Sequence, residues 1–186
     1  MRTDRTHRPG GTRLLPIAAA AVAATALFAT VDDNARGNSS ARTLAPQMAR
    51  LKAATGAYHN EAVATASGFA ADDVCVDSPH GGMGHHYVND LRIQDDAVSR
   101  DKPEVLLYAP ARGNERALVG IEYFKVDDDQ DLSTDDDRPR LFGRPFDGPM
   151  EGHAPGMPIH YDLHVWAWRS NPDGLFAPFN PRVSCP

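Results

Sequence analysis

Tyr161-Asp162-Leu163-His164-Val165-Trp166-Ala167-Trp168 (YDLHVWAW) is the stretch that decides how this chain folds. Read as a strand, it sets Leu163, Val165 and Ala167 on one face and His164, Trp166 and Trp168 on the other. Neither face is simply polar, so both must be covered. Residues 85–88 (HHYV), 104–109 (EVLLYA) and 117–126 (ALVGIEYFKV) share its character: short, rich in β-branched and aromatic residues, and bounded by turn formers. The segment 110–115 (PARGNE) predicts a hairpin with Gly113-Asn114 at its tip, hence antiparallel pairing of the strands it joins.

Upstream the period lengthens. Leu44, Met48, Leu51, Thr55, Tyr58 and Ala62 recur at spacings of four and three, which places them on one side of a helix ending near Gly68. Gly56 inside that run predicts a bend or a close packing partner. The expected fold is α+β: an N-terminal helix on a curved, mainly antiparallel sheet of about five strands, with long Gly/Pro-rich loops. Fifteen Gly and fifteen Pro in 186 residues supply those loops.

Residues 1–31 read as an export signal, with Arg2, Arg5, Arg8 and Arg13 preceding an uncharged, alanine-rich run over 14–31. Pro16, Thr25 and Thr30 make that run a poor membrane-spanning helix; an uncleaved anchor is the alternative. Residues 32–43 lack apolar periodicity and read as a flexible linker, leaving 44–186 as one domain. The chain is therefore expected outside the cell, without membrane contact once the signal is removed. A net charge of −6 offers no basic footprint for nucleic acid. Cys75 and Cys185 are the two cysteines, and in an exported chain they are expected to pair.

Glu122 stands mid-strand on the face of Gly120 and Phe124, where a carboxylate is costly to bury without a partner. If this face and the His164 face meet one cavity, His86, Glu122 and His164 converge on a pocket lined by Trp166 and Trp168. Two imidazoles and a carboxylate with positions left open suit Zn or Fe(II). The alternative is a hydrogen-bonded His-Glu pair that fixes strand register. One criterion separates them: ring nitrogens of His86 and His164 and a Glu122 oxygen within about 5 Å of one point favour metal. His80 and His85 are expected to be exposed loop histidines.

The run 127–137 (DDDQDLSTDDD) holds seven acids in eleven residues. Asp127, Asp129, Asp131 and Asp135 fall at positions 1, 3, 5 and 9 of a calcium loop, yet Leu132 and Arg138 stand where the turn Gly and bidentate Glu belong. It is either a looser Ca²⁺ site or a solvated loop. Nucleophile elbows, phosphate loops and dinucleotide fingerprints are absent. Two Asn-Pro turns flank Phe176 and Phe179 near the C-terminus, which predicts a tail wrapped back over the sheet.

The stretches GMGHHYVN, PEVLLY, LVGIEYF, LFGRPFDGP, YDLHVWAW and NPDGLFAPFNPRVSC resemble a group of exported bacterial proteins. The likeness spans about residues 45 to 185, and its most specific part runs from HVWAW to NPRVSC. That group carries no established activity, so the resemblance implies no catalytic residues. The alanine-rich leader and Arg/Asp/Pro-rich body also look like the product of a high-GC actinobacterial genome. Three functions follow in order: a secreted binding or structural module whose ligand or protein partner the residues do not name, a metal-binding protein or metal-dependent enzyme, and a metal-free hydrolase.

Overall fold

The computed structural model describes residues 33–186, with side chains from Thr43 onward; the expected export signal lies outside the described residues. Residues 34–186 form one compact unit. Helix α1 (Asp33–Thr55) begins inside the stretch that composition assigns to a linker. Leu44 and Met48 pack against the core from α1, and Leu51 and Thr55 are fully buried. Thr55 Oγ1 turns back to donate to the Leu51 carbonyl at 2.9 Å, which satisfies its hydroxyl without water.

The helix does not run unbroken to Gly68. It gives way to a 3-10 turn (Gly56–His59) and then to α2 (Glu61–Ala66), whose start is capped by the Asn60 side chain accepting from Ala62 N at 3.0 Å. Glycine is the weakest helix former after proline, and Gly56 sits where the chain passes the Trp168 ring. The break resets the helical phase, so Ala64 is buried and Ala62 is exposed.

The strands are β1 (Ala70–Ser78), β2 (Gly81–Val88), β3 (Val105–Pro110), β4 (Arg116–Val126), β5 (Arg140–Leu141), β6 (Arg144–Pro145), β7 (Asp147–Met150) and β8 (His160–Val165). A short helix, α3 (Asp90–Gln94), follows β2. Six strands form one curled antiparallel sheet in the order β1-β2-β3-β4-β8-β7, while β5 and β6 make a separate small hairpin. The fold is α+β with a curved antiparallel sheet, as the alternation of the central strands predicts.

Both faces of those central strands are covered. Tyr87, Leu106, Tyr108, Ile121, Tyr123, Leu163 and Val165 pack under α1. Val105, Leu107, Val119, Phe124, Trp166 and Val183 form a second apolar cluster. The tail after β8 closes part of the structure: Gly82 and Asn180 exchange backbone hydrogen bonds at 3.2 and 3.1 Å, and Gly82 N also reaches the Val183 carbonyl at 2.9 Å. A side chain at Gly81 would collide with the Asn180 backbone, so only glycine lets the tail lie this close. Cys75 of β1 is bonded to Cys185, with Cα atoms 5.7 Å apart and a sequence separation of 110. Among the described residues no helix is long and apolar enough to cross a membrane.

Replacing both Cys75 and Cys185 by Ser should lower the unfolding free energy in urea by about 2–5 kcal/mol. Thiol titration of the denatured, unreduced wild type should find no free thiol; two free thiols would contradict the bridge.

Candidate metal centre

Three strands place the three donors. In the β4–β8 ladder Glu122 stands directly opposite His164. His86 comes from β2, two strands away from Glu122, through the pairings His86 with Leu107 and Leu107 with Gly120. Gly120 has no side chain, and its place is filled by Trp166 and Leu107, whose Cε3 and Cδ1 would lie 3.2 and 3.3 Å from a Cβ there. His86 Nε2 lies 3.3 Å from Glu122 Oε2, and His164 Nε2 lies 3.8 Å from the same oxygen. One donor atom from each of the three residues falls within 4.8 Å of the other two.

These atoms converge without bonding to one another. Glu122 Oε2 and both ring nitrogens of His164 are buried and make no hydrogen bond. The 3.3 Å approach of His86 lacks the alignment of a donated hydrogen bond. His164 is 1% exposed and Glu122 6%, so water does not compensate them from outside. Burial alone would raise the Glu122 carboxyl, but His164 first, then His86 and His160, outweigh it and hold it down to about 2. For His164 burial pulls the ring down, while Glu122 and then Asp162 raise it to about 9. Carboxylate and imidazolium thus stabilise each other's charge in the metal-free cluster.

Asp162 is a residue the sequence reading missed. It shares a face with His164 two positions along β8, is buried, and places Oδ1 3.5 Å from His164 Nδ1. Its signal was the same alternation that singled out His164, since positions 160, 162 and 164 of one strand point the same way. Such a carboxylate behind an imidazole orients the ring and sets which nitrogen faces a metal.

The two expected pocket aromatics part company. Trp166 stays on the site face beside Gly120, its Nε1 donating to the Ala177 carbonyl at 2.6 Å. Trp168 packs instead on the α1 side, edge-on to His59 with ring centroids 4.4 Å apart and under Lys52. Strand β8 ends at Val165, and Ala167 N turns back to the Val165 carbonyl at 2.8 Å, so alternation stops one residue before Trp168's place could follow it. His80 is exposed as expected. His85 is not: it is buried in β2, its Nδ1 3.2 Å from the Asp72 carbonyl, because the Gly-rich patch is itself strand and its edge is covered by β1.

In the acidic loop, Asp131 Oδ1 accepts from Ser133 N and Oγ at 2.9 and 2.7 Å, and Asp135 pairs with Arg138 at 3.1 Å. Asp129 accepts from Asp131 N at 2.9 Å and Thr134 Oγ1 at 2.8 Å. Asp127 is buried with neither carboxylate oxygen hydrogen bonded. Among the described residues, His86, Glu122 and His164 are the one set of three His, Cys, Asp or Glu side chains placed to hold an ion.

Glu104, at the foot of β3, is a second buried carboxylate outside the cluster. Burial pushes it up to about 8, against the pull of the Phe124 N–H donated to Oε2 at 3.2 Å and of Arg92, with Asp95 adding to the rise. Its folded value lies above its unfolded one, so the acid is neutral in the fold and ionised in the unfolded chain between about pH 4.5 and 8. Stability is lost as pH rises through that window. Glu104→Gln should therefore be more stable than wild type at pH 8, on the order of 3 kcal/mol, with the gap closing toward pH 4.5. Urea denaturation across that range checks it; a gap independent of pH would mean that Glu104 is charged in the fold.

No protein-family model, no curated protein and no solved structure matches this chain.

Proposed function

We propose that this is an exported metal-binding module that holds one Zn(II) or Fe(II) ion through His86 Nε2, a Glu122 oxygen and His164 Nε2. The observation that carries the reading is the set of buried atoms with no hydrogen bond: Glu122 Oε2 and both His164 nitrogens. A register lock would aim an N–H at the carboxylate. Here His86 Nε2, Glu122 Oε2 and His164 Nε2 lie close together without a hydrogen bond among them, and a cation that displaced the His164 proton would be held by all three. Asp162 Oδ1, 3.5 Å from His164 Nδ1 and likewise without a hydrogen bond, supports the same reading, because a small closing of that gap would let it accept from Nδ1 once Nε2 holds an ion. The donor set contains no thiolate, which suits Zn(II) or Fe(II).

Three protein donors leave coordination positions for water or for an oxygen or nitrogen atom of a bound ligand. His86 marks the way in, since its side chain is 18% exposed where that of His164 is 1%. The metal reading therefore gives the binding-module reading its contact point. The Cys75–Cys185 bridge is compatible with an oxidising compartment and supports export.

Metal analysis of the protein made with its disulfide intact and without a His tag should find about one equivalent of zinc or iron. Saturating metal at about 100 times Kd should stabilise the fold by roughly 2.7 kcal/mol, and His86→Ala or Glu122→Gln should abolish that gain. If wild type carries no stoichiometric metal and neither ion shifts its melting temperature, the cluster is a His-Glu register lock. His164→Ala would then cost about 2–4 kcal/mol with or without chelator.

A further inference from the structure

The loop between β7 and β8 reads Met150-Glu151-Gly152-His153-Ala154-Pro155-Gly156-Met157-Pro158-Ile159-His160, placing two thioethers and two imidazoles within one short segment. The ladder sets Met150 and His160 opposite each other at the base of this loop. Above them the chain folds tightly on itself. Met157 N donates to the Ala154 carbonyl at 3.0 Å, and Gly152 has no room for a Cβ because the Met157 carbonyl occupies that place. This fold-back brings Met157 Sδ to 3.3 Å from His153 N, and sets the His153 ring edge-on to the His160 ring with centroids 5.2 Å apart.

His160 is fixed in orientation. Its ring stacks on Phe124 at 4.5 Å, and Nδ1 lies 3.1 Å from the Pro158 carbonyl. A carbonyl can only accept, so Nδ1 carries the proton and the neutral ring keeps its lone pair on Nε2. His153 and Met157 are exposed, the latter 38%, so a solute can reach both beside the buried His160 ring.

Thioether sulfur is a soft ligand that hard cations and Zn(II) do not favour, whereas Cu(I) takes thioether and imidazole together. We infer that His153, His160 and Met157, with Met150 across the ladder, form a Cu(I)-binding site. It shares no residue with the His86-Glu122-His164 cluster and does not depend on that reading. His160 and His164 lie on one face of β8 four residues apart, about 13 Å along the strand, so one ion cannot serve both sites.

The test is an anaerobic titration of the full disulfide-bonded protein with Cu(I), held reduced by ascorbate, against a chromogenic Cu(I) chelator. X-ray absorption at the copper edge follows on the loaded protein. Wild type should take up about one Cu(I) with sulfur among its nearest neighbours. Because the described cysteines are both in the disulfide, that sulfur can come only from methionine. His153→Ala and Met157→Leu, both at exposed positions, should each weaken Cu(I) by at least the roughly 10- to 100-fold that loss of even an outer partner costs. Met150→Leu with Met157→Leu should remove the sulfur signal, while His80→Ala, at an exposed histidine outside both clusters, should bind Cu(I) like wild type. The inference is overturned by failure to compete with the chelator, or by copper with nitrogen and oxygen neighbours only. It is equally overturned by unchanged affinity in His153→Ala and Met157→Leu, by sulfur that persists in the double Met variant, or by loss of binding in His80→Ala.

Discussion

Strands β3, β4 and β8 are buried on both faces, and every polar side chain they carry must find its partner inside the protein. Under α1 this constraint is met by tyrosines, whose rings fill the core while their hydroxyls reach its rim: Tyr123 donates to the Arg100 carbonyl at 2.6 Å and Tyr161 to Asp137 at 2.6 Å. On the other face the polar groups are titratable, and they have been set against one another. Glu122 opposite His164 is the centre of that arrangement, and His86 and Asp162 extend it to either side.

Such a chain of alternating charge is tolerable only as a set. An isolated carboxylate at the position of Glu122 would stay protonated, as Glu104 does at the foot of β3, because burial raises both. The difference between the two is the company of imidazoles. Glu104 has a backbone N–H and a guanidinium at some remove, and stays neutral; Glu122 has His164 and His86 and stays ionised. Between Glu122 and His164 the proton sits on the imidazole and the negative charge on the carboxylate, so the two neutralise each other where water does not reach.

The central sheet was legible because its strands obey one simple rule, alternation with both faces apolar, and Leu163, Val165, Glu122 and His164 fall where that rule puts them. Elements governed by something else were not. Strand β1 (AADDVCVDS) is an edge strand, mostly exposed and rich in Asp, so its hydrophobic pattern is blurred by the charges that keep such an edge from pairing with another chain. The helix lost its phase at Gly56, and the far end of YDLHVWAW lost its alternation when the backbone turned after Val165. The His86-Glu122-His164 cluster required that strand faces coincide, which follows once β8 pairs with β4 and β2 lies two strands away through β3. The contribution of Asp162 needed the polar member of an apolar strand to be taken as seriously as its histidine neighbour.

The bond between Cys75 and Cys185 joins the outermost strand of the sheet to the tail that lies across Gly82. During synthesis at about 5–20 residues per second, the 110 residues from Val76 through Cys185 take roughly 5–20 s to appear, and for that time Cys75 has no partner. Because β8 ends at Val165, every strand of the sheet is synthesised before Cys185, and the bond is the last of these links whose two ends become available. A thiol left waiting on an acidic, exposed edge strand is also within reach of small oxidants and of any catalyst of disulfide exchange. The earliest moment at which the bond can close is thereby set by where the second cysteine stands.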